Sequence, residues 1–219
     1  KIKKYKKAQI IYCPPFTLID RFLNLVKNSK ISVGAQNCHY SEKPGPFTGS
    51  INSDLIKSSG AKYVIVGHSE NRVTGDTNQI INLKIKSALK KKLKIIFCIG
   101  ETLKERRNNK TNLILNSQIT RGLSNVRKNN NIIFAYEPIW SIGTGIIPEI
   151  SQLENQIFNI KKILFNLWKL KNPKILYGGS VNPNNARDLK KISSINGFLI
   201  GGASQKSKNF IDIIKKSII

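Results

Sequence analysis

Short runs in which nearly every residue is apolar recur along the chain, and longer segments with a helical repeat separate them. The runs are Gln9 to Cys13, Ile31 to Gln36, Tyr63 to Gly67, Ile95 to Ile99, Ile132 to Tyr136, Lys174 to Tyr177 and Gly197 to Ile200. A strand that is apolar on both faces is buried on both faces, which is the condition of a parallel sheet covered by helices. The intervening segments carry 3.6-residue periodicity: Ile81, Ile85, Ala88 and Leu89 mark one face, and Ile157, Ile160, Ile163, Leu164 and Leu167 mark another. Regular strand–helix alternation predicts right-handed βα units in an α/β fold. No linker or shift in composition interrupts it, so residues 1–219 read as one domain.

An open doubly wound sheet usually places a glycine-rich turn after its first strand, whereas here the first strand runs into Cys13-Pro14-Pro15. A TIM (β/α) barrel fits better. Such a barrel closes with eight strands and typically ~250 residues. The runs number about seven in 219 residues, so the barrel is expected to lack its first βα unit. The chain contains no Met, even at position 1, which reads as a fragment or a processed product.

Formal net charge is +25, from 37 Lys and Arg against 12 Asp and Glu. Such a surplus raises the prospect of nucleic acid or an anionic membrane as partner. The lysines instead sit in short runs on or beside helices (Lys90 to Lys92, Lys161-Lys162, Lys190-Lys191, Lys215-Lys216), without interleaved aromatic residues for base stacking. Abundant Lys, Asn and Ile point to composition bias on a solvated surface, so neither a specific nucleic-acid partner nor a membrane partner is expected. No apolar run approaches the ~18–20 residues of a membrane span. Lys1 to Lys7 followed by Ala8 to Tyr12 imitates a signal peptide, but the apolar part is short and Pro14-Pro15 breaks it. Three cysteines suit a reducing, cytoplasmic setting better than a disulfide framework.

Chemistry in parallel α/β folds collects at the carboxyl ends of strands. Those ends carry His68, Ser69 and Glu70; Gly100 and Glu101; Glu137 followed by Pro138-Ile139-Trp140; Gly178-Gly179-Ser180; and Gly201-Gly202. Taken singly, Glu137 reads as a cap or ion-pair partner, and His68 reads equally as a satisfied structural group or a catalytic one. Taken together on one barrel, a carboxylate and an imidazole suit proton abstraction beside a carbonyl. The two glycine pairs after the last strands let backbone N–H groups approach an anion, where such barrels usually hold phosphate. Ser141-Ile142-Gly143-Thr144-Gly145, between Pro138 and Pro148, has the composition of a lid.

These segments resemble the triosephosphate isomerase family over essentially the whole chain. The motifs are Tyr63 to Arg72, Ala135 to Gly145, Leu176 to Val181, Gly197 to Ser204, Ala35 to Cys38 with Gly45 to Gly49, and Ile99 to Leu103. The resemblance implies an enzyme interconverting dihydroxyacetone phosphate and D-glyceraldehyde 3-phosphate through an enediolate, with no metal or organic cofactor. It implies Glu137 as the base, His68 as a neutral imidazole polarising the substrate oxygens, and Glu70 supporting proton traffic. Gly143, Ser180, Gly201 and Gly202 would bind the phosphate. Pro138, Ile139 and Trp140 would form the near shoulder of the lid, Tyr177 would help hold it shut, and Cys98 would be buried support. The loop from Gln36 to Gly49, with Thr48 near its tip, would enter a partner subunit of a homodimer.

The sequence also departs from the family. No Asn-x-Lys motif opens it, so the first strand and its active-site Lys are expected to be missing and turnover lowered. Lys1 to Lys7 precede the first remaining strand, on the face opposite the chemistry. Asn71 stands where the family usually has Arg, and Ile146-Ile147-Pro148 lacks the usual Lys. A second reading is therefore an incomplete, non-catalytic barrel that keeps phosphate binding and self-association.

Overall fold

The computed structural model describes residues 8–218, so the basic run Lys1 to Lys7 lies outside the described residues. Within them, strands and helices alternate as an α/β fold with seven strands, each parallel to its sequence neighbour wherever register is defined. Two compact units carry this pattern, one built from residues 8–97 with 121–132 and the other from 98–120 with 133–218.

The first unit holds β1 (Ile11–Tyr12), α1 (Ile19–Val26), β2 (Ser32–Ala35), α2 (Ser53–Ser58), β3 (Tyr63–Val66), α3 (Ser69–Val73), α4 (Asn78–Lys90) and most of β4 (Lys94–Ile99). β1 is only two residues long because Pro14 and Pro15 have no N–H with which to extend the ladder. β3 is buried at all four positions, as an all-apolar run requires. Asn52 and Thr77 cap α2 and α4, accepting from the Leu55 and Ile80 amides.

The predicted face of α4 buries Ile81, Ile85 and Ala88, while Leu89 is only half-buried. Three polar residues, Asn82, Lys84 and Ser87, are buried instead. Asn82 donates from its amide to the Gly122 and Ser124 carbonyls, 2.8 and 2.9 Å away. Lys84 is 4% exposed, and its Nζ donates to both carboxylate oxygens of Asp76 (2.8 and 2.6 Å) and to Asn37 Oδ1 (3.0 Å). Asn37 in turn donates to Asn71 Oδ1 at 2.9 Å. The Gln36–Gly49 loop is thus fastened at its base to both α3 and α4.

The second unit holds the end of β4, α5 (Leu103–Arg107), most of α6 (Thr111–Gly122), β5 (Ile132–Tyr136), α7 (Ile150–Trp168), β6 (Ile175–Tyr177), α8 (Ala186–Lys190), β7 (Gly197–Phe198) and α9 (Ser207–Ile218). β7 stops short of the predicted Ile200, although the Leu199 amide still donates to the Tyr177 carbonyl at 2.9 Å. α7 buries Leu153, Ile157, Ile160 and Leu164. Its stripe is narrower than predicted, because Ile163 is half-buried and Leu167 is 39% exposed. Both line an open cavity of about 360 Å³ shared with Asn116 and Thr120 of α6. Among the described residues no helix is long and apolar enough to cross a membrane.

Removing one partner of a buried ion pair leaves the other charge desolvated and costs about 3–5 kcal/mol. Lys84→Met should therefore lower the thermal midpoint by about 6–15 °C. Adding Asp76→Asn should recover part of that loss, as differential scanning calorimetry of both variants will show.

Candidate active site

Glu137 directly follows β5, and its position is set by backbone contacts on two sides. Its amide donates to the Ile99 carbonyl at 2.8 Å, and the next strand continues the ladder with the Gly178 amide on the Tyr136 carbonyl at 2.8 Å. Gly100 makes the first approach possible, since a Cβ there would lie 1.8 Å from the Glu137 carbonyl oxygen. Gly178 makes the second, since its Cβ would fall 2.7 Å from Glu137 Cγ and 3.3 Å from Oε1. Glu137 is 3% exposed. Gly100 thus makes room for the Glu137 backbone and Gly178 for its side chain, which together form a narrow slot. Cys98, two residues before Gly100 on β4, is fully buried.

A second carboxylate lies close by, one to which sequence reasoning gave no role. Glu101 is completely buried, accepting from Tyr136 Oη at 3.1 Å and from Trp140 Nε1 at 3.0 Å. Arg106 of α5 stands 3.7 Å away, places its guanidinium 4.6 Å from the centre of the Trp140 ring, and donates to Gln152 at the start of α7 at 2.6 Å. Burial pushes the Glu101 pKa up, and the bonds from Trp140 and Tyr136 and the Arg106 charge oppose that rise. The Thr102–Glu105 capping box starts α5 and so aims Arg106 back at this cluster. The strand-end rule did point at Gly100-Glu101, without giving that carboxylate a partner or a role.

The segment from Pro138 to Pro148 leaves β5 through the short 3-10 turn Ile139–Ser141. Its ends are buried at Pro138, Ser141 and Pro148, while residues 143–147 are exposed. Gly143 and Gly145 have φ of +70° and +78°, the left-handed region that favours glycine. Ser180 Oγ donates to the Ser141 carbonyl at 2.7 Å and accepts from the Gly145 amide at 3.0 Å. Tyr177 Oη lies 3.0 Å from Ser141 Oγ. Tyr177 and Ser180, both singled out by the sequence, are thus hydrogen-bonded to Ser141 and Gly145 of this segment. Gly201 and Gly202 open the turn after β7; both are exposed, and a Cβ on either would meet nothing within 4 Å.

In the first unit, His68 caps α3 and follows β3 by one residue. Its Nδ1 accepts from the Glu70 amide at 3.4 Å, so the proton of the neutral ring resides on Nε2. The Glu70 side chain is 86% exposed, with its carboxylate 3.8 Å from Nδ1. Arg72 secures this turn by donating to the Gly67 carbonyl at 2.8 Å and to Asn78 at 2.8 Å. Thr48 is exposed on the Gln36–Gly49 loop, near a cluster in which the His39 ring packs against Tyr40 and Phe47 at 4.2 and 4.5 Å. No group of three or more metal-ligating side chains occurs among the described residues.

Because the folded-state pKa of Glu101 is raised, the native protein binds the extra proton and stability falls as pH rises above the ordinary value of 4.5. Glu101→Gln should remove that contribution. The stability of wild type relative to the variant is expected to decline as pH is raised from about 4.5 toward neutrality, measured by urea unfolding at a series of pH values.

Known proteins resemble this chain in sequence and fold. The family model described as triosephosphate isomerase matches residues 1–217. The triosephosphate isomerase of Endomicrobium trichonymphae is 42% identical over 215 residues, covering 96% of this chain and 86% of that protein. That of Dictyoglomus thermophilum is 40% identical over 219 residues, covering 97% and 88%. The crystal structure of triosephosphate isomerase from Bartonella henselae superposes with a TM-score of 0.87 at 34% identity, covering 95% of this chain and 85% of that one. Sequence and fold agree over nearly the whole length: the chain belongs to the triosephosphate isomerase family.

Proposed function

We propose that this protein interconverts dihydroxyacetone phosphate and D-glyceraldehyde 3-phosphate by moving one proton between adjacent carbons. The observation that carries this reading is Glu137, a buried carboxylate held in a slot made by Gly100 and Gly178 at the end of β5. In the first half-reaction its carboxylate takes the proton from the carbon next to the carbonyl. The C–H electron pair becomes the carbon–carbon double bond, and the carbonyl oxygen takes up the negative charge. His68, neutral with its proton on Nε2, supplies a hydrogen bond to that oxygen and relays a proton between the two substrate oxygens. Glu137 then returns its proton to the neighbouring carbon. A carboxylate base working beside a neutral imidazole is the known pattern of this enzyme family. Substrate and product are isomers, so no external oxidant or reductant enters the balance.

The phosphate is assigned to the backbone N–H groups of Gly143, Gly201 and Gly202 together with Ser180. Open space over both Gly201 and Gly202 supports that role. The Pro138–Pro148 segment acts as a lid, excluding water that would weaken the hydrogen bonds to the developing oxyanion and let the enediolate lose phosphate. Glu70 assists proton traffic near His68. The aromatic cluster of the Gln36–Gly49 loop, with Thr48 at its tip, is assigned to a homodimer interface.

A coupled assay of triose phosphate isomerisation tests the reading. Turnover is expected in the unmodified chain. Glu137→Gln should reduce kcat by about 10²–10⁴, the usual contribution of a general base. His68→Gln should reduce it by about 10²–10³. Retention of normal rates by either variant would refute the assignment, and binding of inorganic phosphate without turnover in the unmodified chain would favour a non-catalytic barrel. Gly178→Ala should cut kcat steeply by displacing the Glu137 side chain, and its thermal midpoint should shift less than that of Lys84→Met.

A further inference from the structure

The lid contains a buried hydroxyl that the roles above do not use. Ser141 is fully buried at the near end of the exposed stretch, and its Oγ donates to the Ile146 carbonyl at 2.6 Å, across the lid's own tip. A serine hydroxyl has one proton. With that proton committed to Ile146, the contact of 3.0 Å with Tyr177 Oη must run the other way, the phenol donating to Ser141 Oγ. The Ser180 amide also points its N–H at this oxygen, at 3.4 Å. Burial raises the Tyr177 pKa above 10.0, so the phenol keeps its proton at neutral pH.

We propose that Ser141 is a positioning residue for the lid: a directed relay from Tyr177 O–H through Ser141 O–H to the Ile146 carbonyl holds residues 141–146 against the end of β6. This rests on the lid reading above and deepens it. Loss of the Ser141 hydroxyl strands both the Tyr177 donor and the Ile146 acceptor. Loss of the Tyr177 hydroxyl removes one end of the same chain. The two losses are therefore not independent.

The test uses Ser141→Ala, Tyr177→Phe and the double variant, each read three ways. These are KM and kcat in the isomerase assay, the Kd for inorganic phosphate by NMR titration, and the rate of nicking by thermolysin at the Gly145–Ile146 bond. Each single variant is expected to raise KM and the phosphate Kd by about 3- to 30-fold, the range for a lost hydrogen bond that is needed only when the lid is down. Nicking should quicken, and kcat should change less than KM. The double variant should be within about twofold of the worse single variant, because one relay cannot be broken twice. The proposal is overturned if Ser141→Ala leaves phosphate affinity and nicking unchanged, or if the single effects multiply in the double variant. A merely structural serine would lower the thermal midpoint without moving phosphate Kd. Absence of turnover in the unmodified chain would defeat the isomerase reading alone, since phosphate Kd and nicking still report the relay.

Discussion

The arrangement at the end of β5 depends on a close approach between two backbones. Gly100 lies against the Glu137 carbonyl so tightly that no side chain could stand between them. From that contact the Glu137 amide is aligned with Ile99, the Ile139 amide with the Glu101 carbonyl, and the chain is delivered into Pro138. The base proposed at Glu137 must be held in place, and backbone hydrogen bonds on two strands fix its position. Glu101 carries the same constraint one step outward. With Tyr136 from β5, Trp140 from the lid shoulder and Arg106 from α5 converging on one buried carboxylate, the shoulder is referred to the same strand that positions Glu137.

Much of this was legible in the residues. Runs such as Ile132 to Tyr136 and Tyr63 to Val66 are apolar at every position, and such a pattern leaves a chain little choice but a doubly covered parallel strand. Where a run met proline, as at Cys13-Pro14, the strand proved shorter than its apolar stretch, because a ladder needs donors as well as apolar side chains. The strand-end rule located Glu137, His68 and the glycine pairs, and family likeness supplied their roles.

What escaped was polar and buried. Lys84 has the composition of a surface residue and lies on a helix whose apolar face is thin; only the partners Asp76 and Asn37, distant or oblique in sequence, make its burial tolerable. Glu101 and Ser141 were hidden for the same reason. A carboxylate or a hydroxyl is read from sequence as solvated, and the donors and acceptors that permit its burial come from other elements. The converse error occurred at Leu167, apolar by type yet 39% exposed, on the side of α7 that lines an open cavity with α6.

The two left-handed glycines of the lid have a consequence of another kind. Neither Gly143 nor Gly145 has any neighbour within 4 Å of where a Cβ would lie, so space does not require glycine at either site. The requirement is one of chirality. An L-alanine there would collide with its own backbone, whereas a D-alanine installed by chemical ligation would sit in its preferred region. It would also withdraw conformations from the unfolded chain that glycine leaves open. The mirror-image residue would thus stiffen the loop without the left-handed penalty that an L-alanine carries.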